Sequence, residues 1–250
     1  MNKYSDILVS FGTQDTLNPE IWNGYDTEDP VLKPGIRKAL LTIAGEFMDF
    51  LGEDLFIDDV RFTGSLANYN WSKFSDIDLH LLVDFSQFDG EDQEVYKELF
   101  NLKKTLFNTT HKITVKGFDV ELYAEDVNEA HHSTGVYSVL FDEWVEKPKM
   151  EDVKIDKSFL EKKAKSVMSK IDSLIEEVTD EDLDKALDKI EKFKDQLKKY
   201  RTAGLEEKGE YSYENLVFKF LRRSGYIDKL FKFKNSLMDK KLSLENQEIE

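Results

Sequence analysis

Asp76 and Asp78 stand one residue apart in Ser75-Asp76-Ile77-Asp78-Leu79-His80-Leu81-Leu82-Val83, and Gly64-Ser65 precedes them across a ten-residue spacer, 66 to 75. In a strand, side chains alternate faces, so the two aspartates project together while Ile77, Leu79, Leu81 and Val83 turn the other way into a core. Two carboxylates on one side of a strand's start suit a hard divalent cation such as magnesium, which takes oxygen ligands and keeps room for phosphate oxygens. Gly64 lets the backbone turn at positive φ and approach a ligand closely, and Ser65 adds a hydroxyl and an amide donor for a phosphate oxygen. Each piece alone is ordinary, a common turn and a solvated strand end. Together, between two apolar strands, they point to metal-assisted phosphate chemistry.

A further acid is offered by Gly117-Phe118-Asp119-Val120-Glu121-Leu122-Tyr123, where Phe118, Val120 and Leu122 share one face and Asp119, Glu121 and Tyr123 the other. His80 lies on the aspartate face but further along its strand, which predicts a hydrogen-bonded interior imidazole. The adjacent His131 and His132 point apart and have no further convergent His or Cys, so zinc ligation is not expected; the alternative for the polar stretch from His131 to Tyr137 is a loop near the site that contacts base or acceptor.

The positioning elements follow from periodicity. Pro34 to Gly52 predicts a helix with Ile36, Leu40, Ile43, Ala44, Phe47 and Leu51 on its packed face. Leu55 to Phe62 predicts a strand, Ser65 to Trp71 a short helix or turn, and Asp76 to Phe85 a second strand. Asp89-Gly90 with Glu91, Asp92 and Glu94 opens a helix through Val95, Leu99, Leu102 and Leu106, and Ile113 to Val115 with Phe118 to Tyr123 predicts a hairpin about Lys116-Gly117. Residues 1 to 33 read as an irregular segment draped over the core by Ile7, Val9, Phe11, Leu17, Ile21 and Trp22.

From Lys157 the pattern is helical. Leu160, Ala164, Val167, Ile171, Leu174 and Val178, then Leu183, Leu187, Ile190, Lys194 and Leu197 after Thr179-Asp180, predict an antiparallel helical hairpin, a surface also open to dimerisation. Gly204 and Gly209 are expected to break the chain before a helix from Tyr211 to about Gly225. Lys219 to Lys234 holds six basic residues against the single acid Asp228.

These residues resemble the nucleotidyltransferase superfamily of DNA polymerase beta, poly(A) polymerases, tRNA CCA-adding enzymes, oligoadenylate and cyclic-dinucleotide synthases and small antitoxin-like members. The resemblance covers roughly residues 55 to 125, with an apolar-Gly-Ser segment, a spacer of about ten residues, Asp-x-Asp on a strand and a carboxylate on a later strand. The flanks at Asn68-Tyr69-Asn70 and from Glu214 to Gly225 are also similar to uncharacterised nucleotidyltransferase-like proteins of tailed bacteriophages.

The resemblance implies an α+β fold: a small mixed sheet platform with flanking helices in residues 1 to 150, then a helical domain in 151 to 250. It implies NMP transfer from an NTP by a two-metal mechanism, with two magnesium or manganese ions bridged by Asp76 and Asp78 and one of them held by Glu121, Asp119 being the alternative third acid. Gly64, Ser65 and Ser75, with Lys219, Arg222 or Arg223, would hold the nucleotide. The acceptor is open among a tRNA or other RNA 3′ end, a protein hydroxyl and a small molecule. The rival expectation is an idle nucleotide-binding or antitoxin-like partner-binding module on the same fold.

Composition bounds these expectations. The chain of 250 residues is 40% hydrophobic and 34% charged with mean hydropathy −0.53 and no cysteine, excluding disulfide and thiolate metal sites. Without an apolar run of membrane length or a signal-like N-terminus, a cytoplasmic protein without membrane partners is expected. A net charge of −16 disfavours capture of long nucleic acid by charge alone. Residues 1 to 150 carry 13 Lys and Arg against 28 Asp and Glu, so cations would have to bind there before a triphosphate approached.

Overall fold

The computed structural model describes residues 4–52, 55–88, 90, 93–129, 133–150, 153–178 and 182–243. Asp89, Glu91, Asp92, His131, His132, Thr179, Asp180 and the tail from Leu244 lie outside the described residues. The fold is α+β, with a mixed six-stranded sheet. Two compact units form: residues 12–152 around the sheet, and residues 1–11 with 153–250, whose described elements are helices.

In the sheet unit, β1 (Trp22–Asn23) and β2 (Val31–Leu32) make a small antiparallel pair. Helix α2 (Pro34–Leu51), with Pro34 in its first turn, ends where Gly52 adopts the left-handed conformation at φ 75°. Strand β3 (Ile57–Thr63) leads into a 3₁₀ turn, Ser65–Ala67, and β4 (Ile77–Val83) follows. Helix α3 (Gln93–Thr110) precedes β5 (Thr114–Val115) and β6 (Phe118–Asp126), a hairpin whose turn residues Lys116 and Gly117 both have positive φ, 54° and 82°. Strands β7 (Val136–Ser138) and β8 (Glu143–Glu146) complete the order β5-β6-β4-β3-β7-β8.

The core face of the sheet buries Phe62, Ile77, Leu79, Leu81, Val120 and Leu122 under α2 and α3. An aromatic cluster joins the N-terminal segment to the sheet: Trp22 stacks on Phe62 at 5.7 Å and on Trp144 at 4.7 Å, and meets Tyr137 edge-on at 5.1 Å.

Several expectations change. Helix α3 carries two apolar stripes, and it buries the other one: Phe100 and Phe107 are 1% and 5% exposed, whereas Val95, Leu102 and Leu106 are 62%, 69% and 56% exposed. The N-terminal segment is split. Leu17, Ile21 and Trp22 belong to the core of the sheet unit, while α1 (Ser5–Val9) and Phe11 belong to the helical unit, where Tyr4 packs 5.4 Å from Phe220. The loop expected after residue 131 runs into β7 and β8, which were not anticipated.

In the helical unit, α4 (Lys157–Glu176) is capped by Asp156 and α5 (Leu183–Lys208) by Asp182, each carboxylate accepting a first-turn backbone N–H. The expected break at Gly204 does not occur: the residue is buried inside α5, where an added Cβ would fall 2.4 Å from Glu214 Cβ, so its small size admits α6 (Tyr213–Arg223). Gly209 does end α5. Helix α7 (Tyr226–Leu242) follows Gly225. The closest packing of α4 and α5 is against α6 and α7 rather than against each other, so the apolar stripes marked buried faces correctly but not their partners.

Candidate metal and phosphate site

Strand register builds the acidic group. Asp78 stands opposite Thr63 of antiparallel β3 on one side and opposite Glu121 of parallel β6 on the other, and residues directly opposed in a sheet project from the same face. Asp76, two residues earlier, shares that face. Asp76, Asp78 and Glu121 are all half-buried, and each offers a carboxylate oxygen within 4.8 Å of the others'. Three ionised carboxylates this close repel one another, and a divalent cation among them turns repulsion into attraction. Asp119 is exposed at the hairpin end, opposite Thr114, and takes no part in the group.

Gly64 does more than turn the chain. At φ 78° it lets the Asp78 carboxylate lie against its backbone: a Cβ there would sit 1.9 Å from Asp78 Oδ2. Ser65 Oγ donates to Ser75 Oγ at 2.7 Å, and Ser75 Oγ accepts from Ser72 N at 2.9 Å, which ties together the two ends of the spacer. Ser75 is 6% exposed, so its hydroxyl braces the loop.

Residues 14 to 22, whose role composition did not suggest, hold the same loop from outside. Trp22 Nε1 donates to Leu66 O at 2.8 Å, Gln14 N to Tyr69 O at 2.7 Å, and Trp71 Nε1 to Thr16 O at 2.8 Å. From the other direction Asn68 Nδ2 donates to Thr134 Oγ1 at 2.5 Å, and Gly135 packs so closely that a Cβ would meet Ala67 O at 2.1 Å.

Behind Glu121 lies a second layer. Tyr123 donates its hydroxyl to Glu121 Oε2 at 2.7 Å; burial first, then this bond and the charges of Asp78, Glu121 and Asp76, hold the phenol far above its ordinary pKa. His80 stacks on the Tyr123 ring at 4.6 Å, with Nε2 3.1 Å from Thr63 Oγ1 and Nδ1 2.9 Å from Glu125 Oε1. It is the hydrogen-bonded imidazole that its strand position predicts. From α3, Lys104 Nζ lies 4.9 Å from the Tyr123 ring centroid, and Asn108 bonds both Leu122 N and Leu122 O, at 3.1 and 2.9 Å, pairing the backbone of β6 next to Glu121.

The basic residues singled out in the helical unit have contacts of their own. Lys219 Nζ lies 3.7 Å from Glu210 Oε2, and its pKa is lowered chiefly by burial, Glu210 opposing and Arg223, Arg201 and Arg222 adding to the decrease. Arg223 Nη1 donates to Ser10 Oγ at 2.8 Å and its guanidinium lies 4.9 Å from the Phe11 ring; Arg222 is exposed. Lys229 and Lys234 pair with Asp172 and Glu191, each at 2.6 Å. Arg201, which no sequence signal distinguished from the lysines around it, joins this group, its guanidinium 4.5 Å from the Phe218 ring and its Nε donating to Asn215 Oδ1.

No helix among the described residues is long and apolar enough to cross a membrane. No protein-family model, curated protein or solved structure matches the chain.

Proposed function

We propose that the protein is a metal-dependent nucleotidyltransferase that moves NMP from an NTP to an acceptor hydroxyl. The observation that carries this is the convergence of Asp76, Asp78 and Glu121 beside Gly64, whose missing side chain leaves the space Asp78 occupies. An all-oxygen donor set of three carboxylates fits magnesium or manganese. A divalent cation bound there supplies charge neutralisation for the phosphates and lowers the pKa of a coordinated hydroxyl.

The chain's own residues do the rest. Asp76, Asp78 and Glu121 hold the metal, and the turn at Gly64 and Ser65 receives the β- and γ-phosphates through backbone donors. Glu121 accepts the proton as the acceptor oxygen attacks the α-phosphorus in line; that P–O bond forms while the bond to the β-phosphate oxygen breaks and pyrophosphate leaves.

The test is incubation with each α-labelled NTP, magnesium or manganese and a host lysate, following where label lands and whether pyrophosphate is released. Wild type is expected to transfer label, and Asp78→Asn to lose at least about 100-fold in rate with its circular dichroism unchanged. A mutant at wild-type turnover would overturn the proposal. Metal-dependent NTP binding without turnover would replace it with the idle nucleotide-binding module.

A further inference from the structure

We infer that Tyr123 is a positioning residue for the third carboxylate: its hydroxyl orients Glu121 for the metal and so sets the affinity of the site. This rests on the proposed metal centre. Glutamate is a flexible ligand with three side-chain torsions, and an acidic group of this kind binds tightly only if the carboxylate is held ready before the ion arrives. A carboxylate is acceptor-only, so in the 2.7 Å contact the tyrosine is the donor. The bond engages Glu121 Oε2 and leaves the carboxylate's other lone pairs for a cation.

The tyrosine is itself fixed by residues from two other strands. Its ring stacks on His80 with planes 12° apart, and His80 is held by Thr63 and Glu125. Thr63 is the β3 residue opposite Asp78, and Tyr123 is the β6 residue opposite His80. A continuous chain of side chains, Thr63 to His80 to Tyr123 to Glu121, thus crosses β3, β4 and β6 on the face that carries the aspartates. The Lys104 ammonium over the same ring adds a constraint from α3. None of Thr63, His80, Tyr123 and Glu121 belongs to the hydrophobic core cluster, which lies on the sheet's opposite face.

The experiment is titration with manganese, read by loss of the free-ion EPR signal, on the full chain without nucleotide, so that the readout does not depend on turnover. Wild type is expected to bind, Glu121→Gln to lose most of its affinity, and Tyr123→Phe, which keeps the ring, to bind about 10- to 100-fold more weakly with an unchanged melting temperature in EDTA. Thr63→Val, which leaves Tyr123 intact and loosens the far end of the chain, is expected to weaken binding at least about threefold, and it decides the matter if Tyr123→Phe does not fold. Tyr123→Phe and Thr63→Val binding manganese like wild type, with Glu121→Gln impaired, would overturn the inference alone. A wild type that binds no manganese would overturn both the inference and the metal centre beneath it.

Discussion

At the scale of single residues, two glycines with similar positive φ have different duties. Gly64 and Gly117 have φ of 78° and 82°, but a Cβ at 64 would strike the Asp78 carboxylate, whereas at 117 nothing lies within 4 Å. Gly117→Ala is therefore expected to cost only the left-handed backbone penalty, about 1 kcal/mol, and to leave manganese binding untouched. Gly64→Ala is expected to cost about 1–3 kcal/mol and to abolish metal binding by displacing Asp78. Urea denaturation and the EPR titration, run on both variants, separate the two effects. Sequence alone marked Gly64 as a turn and a point of close backbone approach to a ligand; that it is also the floor under Asp78 depends on β4 returning beside β3.

At the scale of elements, α3 shows how a periodicity can be correct and still misplace a face. Val95, Leu99, Leu102 and Leu106 have helical spacing, and so do Tyr96, Phe100 and Phe107. The aromatic stripe wins because larger side chains fill the space between α2 and the sheet: Phe107 meets Phe47 at 5.1 Å, and Phe100 meets Phe85 at 5.6 Å. Phe100→Ala is expected to destabilise by about 3–5 kcal/mol, while Leu102→Glu stays within about 0.5 kcal/mol; equal losses in chemical denaturation would contradict this orientation. Strands β7 and β8 escaped notice for a related reason. Val136, Tyr137 and Ser138 are all buried, so the three-residue strand shows no alternation by which to recognise it.

At the scale of the whole molecule, charge is the property to test. The acidic excess of residues 1 to 150 falls on the unit that carries the three converging carboxylates. Self-repulsion weakens the folded state and is screened by salt, so sodium chloride is expected to raise the melting temperature modestly in wild type and in an Asp76→Asn/Asp78→Asn variant alike. Millimolar magnesium, added at constant ionic strength, is expected to raise it further in wild type only, because binding to the folded state adds its own stabilisation. Equal magnesium shifts in both proteins, followed by scanning fluorimetry, would reduce the acidic group to general screening. Residues 4–11 also show their place only at this scale. Phe11 and Leu17 look alike as apolar residues in an irregular segment, yet one is buried in the helical unit and the other in the core of the sheet unit.

The residues by themselves determined the alternation of β3, β4 and β6, the helix from Pro34 to Leu51, the helical character after Lys157 and the common face of Asp76 with Asp78, because these follow from local periodicity and turn chemistry. They favoured Glu121, deeper in the strand, but kept Asp119 as the alternative, since both occupy the same face of one strand. Tertiary structure made the choice: β6 lies parallel to β4 in the register that sets Glu121 opposite Asp78 and leaves Asp119 at the hairpin end. Register between strands separated by a helix is a long-range packing outcome, and no spacing along the chain encodes it.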